Sequence, residues 1–137
     1  MNLSGSFRQN RGRLPRPAAG TVVGGFGKRT DPVYGTTVSS IGVDIATAPA
    51  APVRVVFEGV VERVGTIATY GTYVMVSHGD YVTIYGNLSG VSVRQGQQVR
   101  AGQAVGRAGT ADSRRGSQLF FALFDNGEAV NPVGWLR

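Results

Sequence analysis

Few side chains in this sequence could do chemistry at neutral pH. Of 137 residues one is histidine, His78, and none is cysteine. Thiolate nucleophiles, thiolate metal sites and disulfides are therefore excluded. His78 follows Ser77, but neighbours on a strand point to opposite faces, which argues against a hydroxyl–imidazole dyad. A lone histidine at a strand end reads as a hydrogen-bonded structural residue. No Gly-x-Ser-x-Gly elbow occurs. Gly24-Gly25-Phe26-Gly27 is glycine-rich but lacks the Lys-Ser/Thr and the following helix of a phosphate-binding loop. A catalytic zinc site needs three protein ligands and a water. Asp44 could supply one, but a single carboxylate neither holds zinc nor lowers the pKa of a bound water.

The elements that would position such residues are β-strands. From Thr21 onward, short runs rich in Val, Ile, Thr, Tyr and Phe recur with glycine between them. They are Thr21–Phe26, Ile41–Ala46, Val53–Phe57, Val60–Ile67, Tyr73–Ser77, Tyr81–Tyr85, Gln97–Val99, Gln103–Arg107 and Gln118–Phe124. No window gives a helical stripe of useful length. Glycine is 21 of 137 residues, about twice the usual share of roughly 7%, as a fold built from tight turns requires. The pattern predicts one all-β domain over 21–137, a compact glycine-rich sandwich or barrel-like body. Two Gly-Gln units six residues apart, at Gly96 and Gly102, predict paired turns between short stacked strands. Trp135 is expected to fold back as a closing plug.

Residues 1–20, with Pro15, Pro17 and three glycines, read as an extended basic arm or linker. Arg8, Arg11, Arg13 and Arg16 lie in it without an acid. They carry most of the net charge of +6, since the rest holds ten basic against eight acidic residues. The arm is either a solvated linker or a contact for an anionic partner. It holds one aromatic, Phe7, and no nucleic-acid motif, so nucleic acid is not expected as a partner. No apolar run reaches the length of a membrane span. The first residues lack the features of a signal peptide, and Met1 is read as a start inside a longer protein.

Three segments carry a resemblance. Ser40-Ile41-Gly42-Val43-Asp44, His78 to Leu88, and Gly116-Ser117-Gln118-Leu119-Phe120-Phe121 resemble the active-site segments of the lysostaphin/LytM family of zinc endopeptidases, which cut bacterial cell-wall peptides. In active members the first segment reads His-x-Gly-x-Asp, the middle one ends Tyr-x-His and the last reads His-Leu-His-Phe-Glu. Here the four histidine positions are Ser40, Asn87, Gln118 and Phe120, while Gly42, Asp44 and Tyr85 are kept. Serine, amide and phenyl groups do not make a zinc site with Asp44, and Gln118 and Asn87 have no pKa suited to a general base. The expectation is a domain with no catalytic residues, no metal and no cofactor.

The flanks, Phe7 to Val22 and Gly127 to Leu136, are similar to those of the C-terminal LytM domain of EnvC-type murein hydrolase activators. That resemblance implies a non-catalytic module of the periplasm or cell envelope. It would bind and activate a zinc-dependent N-acetylmuramoyl-L-alanine amidase during septal peptidoglycan splitting. It also implies an export signal and coiled coil upstream. The old active site would serve as a partner groove lined by Ser40, Asp44, Tyr85, Asn87, Gln118 and Phe120. Phe120 is expected to be an exposed apolar floor, so that Phe120→Asp would leave the fold intact while Phe121→Asp, on the opposite face, would unfold it. Two alternatives are a peptidoglycan-binding or scaffold module without an amidase partner, and an active zinc endopeptidase with an unusual site.

Overall fold

The computed structural model describes residues 5–30, 32–113 and 115–137, with backbone alone at Arg29 and Val38. Among these residues the secondary structure is β-strand with two 3-10 turns and no α-helix, so no helix is long and apolar enough to cross a membrane. The strands are β1 (Thr21–Gly24), β2 (Gly27–Thr30), β3 (Thr37–Ser40), β4 (Gly42–Ala46), β5 (Pro52–Arg54), β6 (Gly59–Ile67), β7 (Gly71–Ser77), β8 (Tyr81–Gly86), β9 (Gly90–Val91), β10 (Gln98–Val99), β11 (Ala104–Arg107), β12 (Gln118–Asp125) and β13 (Glu128–Val130). The main antiparallel sheet runs β1-β4-β12-β8-β7-β6-β10, with β13 also paired to β12. A small sheet, β5-β11-β9, and a separate β2–β3 hairpin complete the fold.

β12 is an interior strand, between β4 and β8, and its composition says why. Its run Gln-Leu-Phe-Phe-Ala-Leu-Phe-Asp is apolar on both faces, as a strand covered on both sides must be. Leu119, Phe121 and Leu123 point into the main core with Val43, Ile45, Val74, Val76 and Tyr85 from neighbouring strands. Gln118, Phe120 and Ala122 take the other face by alternation. Gly42 lies opposite Ala122, where any Cβ would collide with the Phe121 carbonyl.

The Gly-Gln echo is a repeated turn. Gly96 and Gly102 have φ of +87° and +84°, the left-handed region that favours glycine. In each turn the glutamine amide closes the ring: Gln97 N–H bonds the Arg94 carbonyl at 3.1 Å, and Gln103 N–H bonds that of Arg100 at 3.0 Å. The glutamine side-chain oxygen then accepts from the same arginine's N–H, at 3.2 Å and 3.0 Å.

The basic lead-in does not stand off as a linker. Phe7 and Leu14 are buried in the main core. The Phe7 ring stacks on Tyr81 at 4.6 Å and meets Trp135 at 5.4 Å. Gly12 and Leu14 donate their N–H groups to the Trp135 carbonyl. Trp135 is buried beneath this arm, with the Arg11 guanidinium 5.2 Å from its ring centre. The arm and the tail therefore close the body together.

Candidate functional site

The face of β12 away from the core is covered by Tyr70, from the β6–β7 turn, and by Arg115; the site they form with Asp44 is called the cleft, after the family's active-site position. Phe120 and Asp44 are directly opposite each other in the β12–β4 ladder. The Phe120 ring ends against Gly42, where a built Cβ would lie 2.8 Å from its Cζ. Tyr70, in the β6–β7 turn, stacks on Phe120 with ring centres 4.3 Å apart and planes at 20°. The guanidinium of Arg115 lies over both rings, 5.2 Å from Phe120 and 5.6 Å from Tyr70. Such stacking favours arginine over lysine, because the delocalised cation is flat and weakly hydrated.

Arg115 also ties the cleft walls together. Its Nη1 donates to Asp44 Oδ1 at 2.8 Å, a half-buried ion pair, and its Nη2 donates to the Thr69 carbonyl at 3.0 Å. Asn87 fixes the loop that carries it. The Asn87 Nδ2 donates to the carbonyls of Gly116 and Gln118 at 3.1 Å and 2.7 Å, and its Oδ1 accepts from the Arg115 N–H at 3.4 Å. Asn87 itself has φ of +60°, a conformation that asparagine tolerates better than most residues.

Asp44, Asn87 and Phe120 thus converge around Arg115, while Gln118 takes part through its backbone carbonyl, which accepts from Asn87. Ser40 ends β3, and its hydroxyl donates to the Gly42 carbonyl at 3.0 Å. Tyr85 does not join them. It pairs opposite Phe121, not Phe120, and its fully buried ring packs on the Phe121 ring in the main core. Its phenol accepts the Val56 N–H at 3.1 Å. Nor is Phe120 an open floor: it is only 1% exposed, roofed by Tyr70 and Arg115.

His78 lies at the other end of the strands, against Phe7 and Phe57. Its Nδ1 is 2.7 Å from the Glu58 carbonyl and its Nε2 is 2.8 Å from Thr83 Oγ1, which is 2.9 Å from the Tyr85 phenol. The carbonyl requires Nδ1 to be the donor. In the neutral ring Nε2 is then an acceptor facing the Thr83 hydroxyl. Burial holds the imidazole pKa down to about 4, against a smaller upward pull from the Glu58 carbonyl. The histidine is a partly buried, neutral link in a hydrogen-bond chain that runs inward to Thr83 and Tyr85, and it makes no contact with Arg115 or Asp44.

The residues at the zinc-ligand positions implied by the sequence, Ser40, Asp44 and Phe120, do not fit the metal. The serine hydroxyl is spent on backbone, the carboxylate carries a guanidinium and the third group is a phenyl ring. Among the described residues no three His, Cys, Asp or Glu side chains gather as a metal site. Sequence reasoning missed Arg115, Tyr70 and Thr69. A usable signal was present: an acid stripped of its metal needs a counter-ion, and Arg115 immediately precedes the third motif segment.

An antiparallel β domain with this cleft is a LytM-type domain. The model for peptidase family M23 matches residues 37–132, and the chain belongs to that family. The DD-carboxypeptidase/endopeptidase Mpg of Neisseria meningitidis serogroup B is 37% identical over 109 residues, 79% of this chain and 25% of that protein. The murein hydrolase activator EnvC of Escherichia coli K12 is 28% identical over 137 residues, 99% of this chain and 32% of that protein. The crystal structure of a zinc-containing peptidase from Vibrio cholerae superposes with a TM-score of 0.75 at 32% identity, over 88% of this chain and 38% of that one. The relatives thus include both peptidases and an activator, and the chain spans a quarter to a third of the two curated relatives' lengths.

Proposed function

We propose that this domain is a non-catalytic M23 module that binds and activates a zinc-dependent N-acetylmuramoyl-L-alanine amidase in the cell envelope, in the splitting of septal peptidoglycan. The observation that carries the reading is the pairing of Asp44 with Arg115, in a cleft whose other family ligand positions are Ser40 and Phe120. A cation of the chain itself occupies the one carboxylate left for a metal. The cleft then offers no route to a metal-activated water, and Asn87 and Gln118 offer no base. What it offers is a rigid rim of polar and aromatic groups, suited to receiving a protein segment. Similarity to EnvC along nearly the whole chain supports the same reading. Activation requires only that the domain bind the open amidase better than the closed one. The test is the release of dye from labelled murein by a purified amidase with and without this chain. A rise in amidase rate supports the reading, and its absence with an amidase that binds no tighter than a control protein defeats it.

A further inference from the structure

We propose that Arg115 is the docking cation of the cleft and that it receives an aspartate or glutamate side chain of the partner hydrolase, an inference that rests on the activator reading above. A guanidinium carries five N–H donors in a planar fork. The structure shows two hydrogen bonds from this one, to Asp44 and to the Thr69 carbonyl. The side chain is 28% exposed, so it is open to solvent and not sealed in the core. The cation is also preorganised. Tyr70 and Phe120 hold its plane, and Asn87 holds the loop that carries it. Little rotamer freedom is left to lose when an acceptor arrives, which favours tight docking. Arginine is the side chain best matched to a carboxylate in such a place, by geometry as well as charge.

Asp44 gives the proposal its distinguishing feature. It already draws on the same guanidinium at 2.8 Å, and its negative charge opposes an incoming carboxylate. Internal and external acids therefore compete for one cation. If the ion pair were only a staple, breaking it from either side would have the same effect. If Arg115 is the docking cation, the two sides have opposite effects.

Affinity for the purified amidase of the same organism is measured by calorimetry at low and high sodium chloride, after thermal melting has checked each variant's fold. Arg115→Gln is expected to weaken binding at least tenfold. Asp44→Asn is expected to tighten it several-fold, and wild-type affinity is expected to fall with salt. Equal weakening by both variants, or unchanged binding by Arg115→Gln, overturns the proposal and leaves the activator reading standing. Failure of the wild-type chain to bind any amidase defeats both. Should Arg115→Gln fail to fold, the other two measurements decide: weaker binding by Asp44→Asn, or affinity independent of salt, overturns the proposal.

Discussion

Phe120 carries Tyr70 and Arg115 on its ring and faces Asp44 across the ladder. A carboxylate at this position would lie against Asp44 with one guanidinium to share between them. Phe120→Asp is therefore expected to destabilise the fold by on the order of 3–5 kcal/mol, read from urea midpoints. A variant as stable as wild type would mean the ring is not roofed as described. His78 makes a different prediction. Its folded pKa of about 4 lies below the ordinary 6.5, so as pH falls the unfolded chain takes the proton first. The stability from the neutral ring is complete above about pH 6.5, declines between 6.5 and 4, and is gone below that, a loss of roughly 3 kcal/mol. The stability difference between wild type and His78→Gln should shrink across that window. A difference constant with pH would contradict the neutral, partly buried histidine.

The arm 5–20 is expected to behave as an element of the core. Phe7→Ala should lower stability by about 3 kcal/mol and shift Trp135 fluorescence to longer wavelength, since the Phe7 ring packs against that ring. An unchanged melting curve would restore the linker reading. The arm was hard to read because its arginines, glycines and prolines mask two isolated anchors, Phe7 and Leu14, whose burial is a tertiary event. The strand runs after Thr21 were legible because glycine and alternating β-branched residues mark them directly. The β2–β3 hairpin was not, because Lys28, Thr30, Thr37 and Ser39 show no apolar alternation. At the cleft, the motif framing placed Asp44, Asn87 and Phe120 near one another, but Tyr85 was assigned with its segment. The backbone leaves regular strand geometry after Gly86, with φ of +60° at Asn87. Asn87 therefore reaches the cleft while Tyr85 stays on the Phe121 face.

The assembled chain is a cleft built around an organic cation in a family that includes zinc peptidases. Elemental analysis after dialysis against zinc is expected to find far less than one zinc per chain. Stoichiometric zinc that disappears in Asp44→Ala would return the site to metal chemistry. The most direct test of the account is murein degradation by the purified chain, alone, with active amidase and with a catalytically dead amidase. The account predicts no soluble fragments from the chain alone, an increased rate with active amidase, and none with the dead enzyme. Fragments released by the chain alone, or an increase that persists with the dead amidase, would contradict it by making this domain the hydrolase.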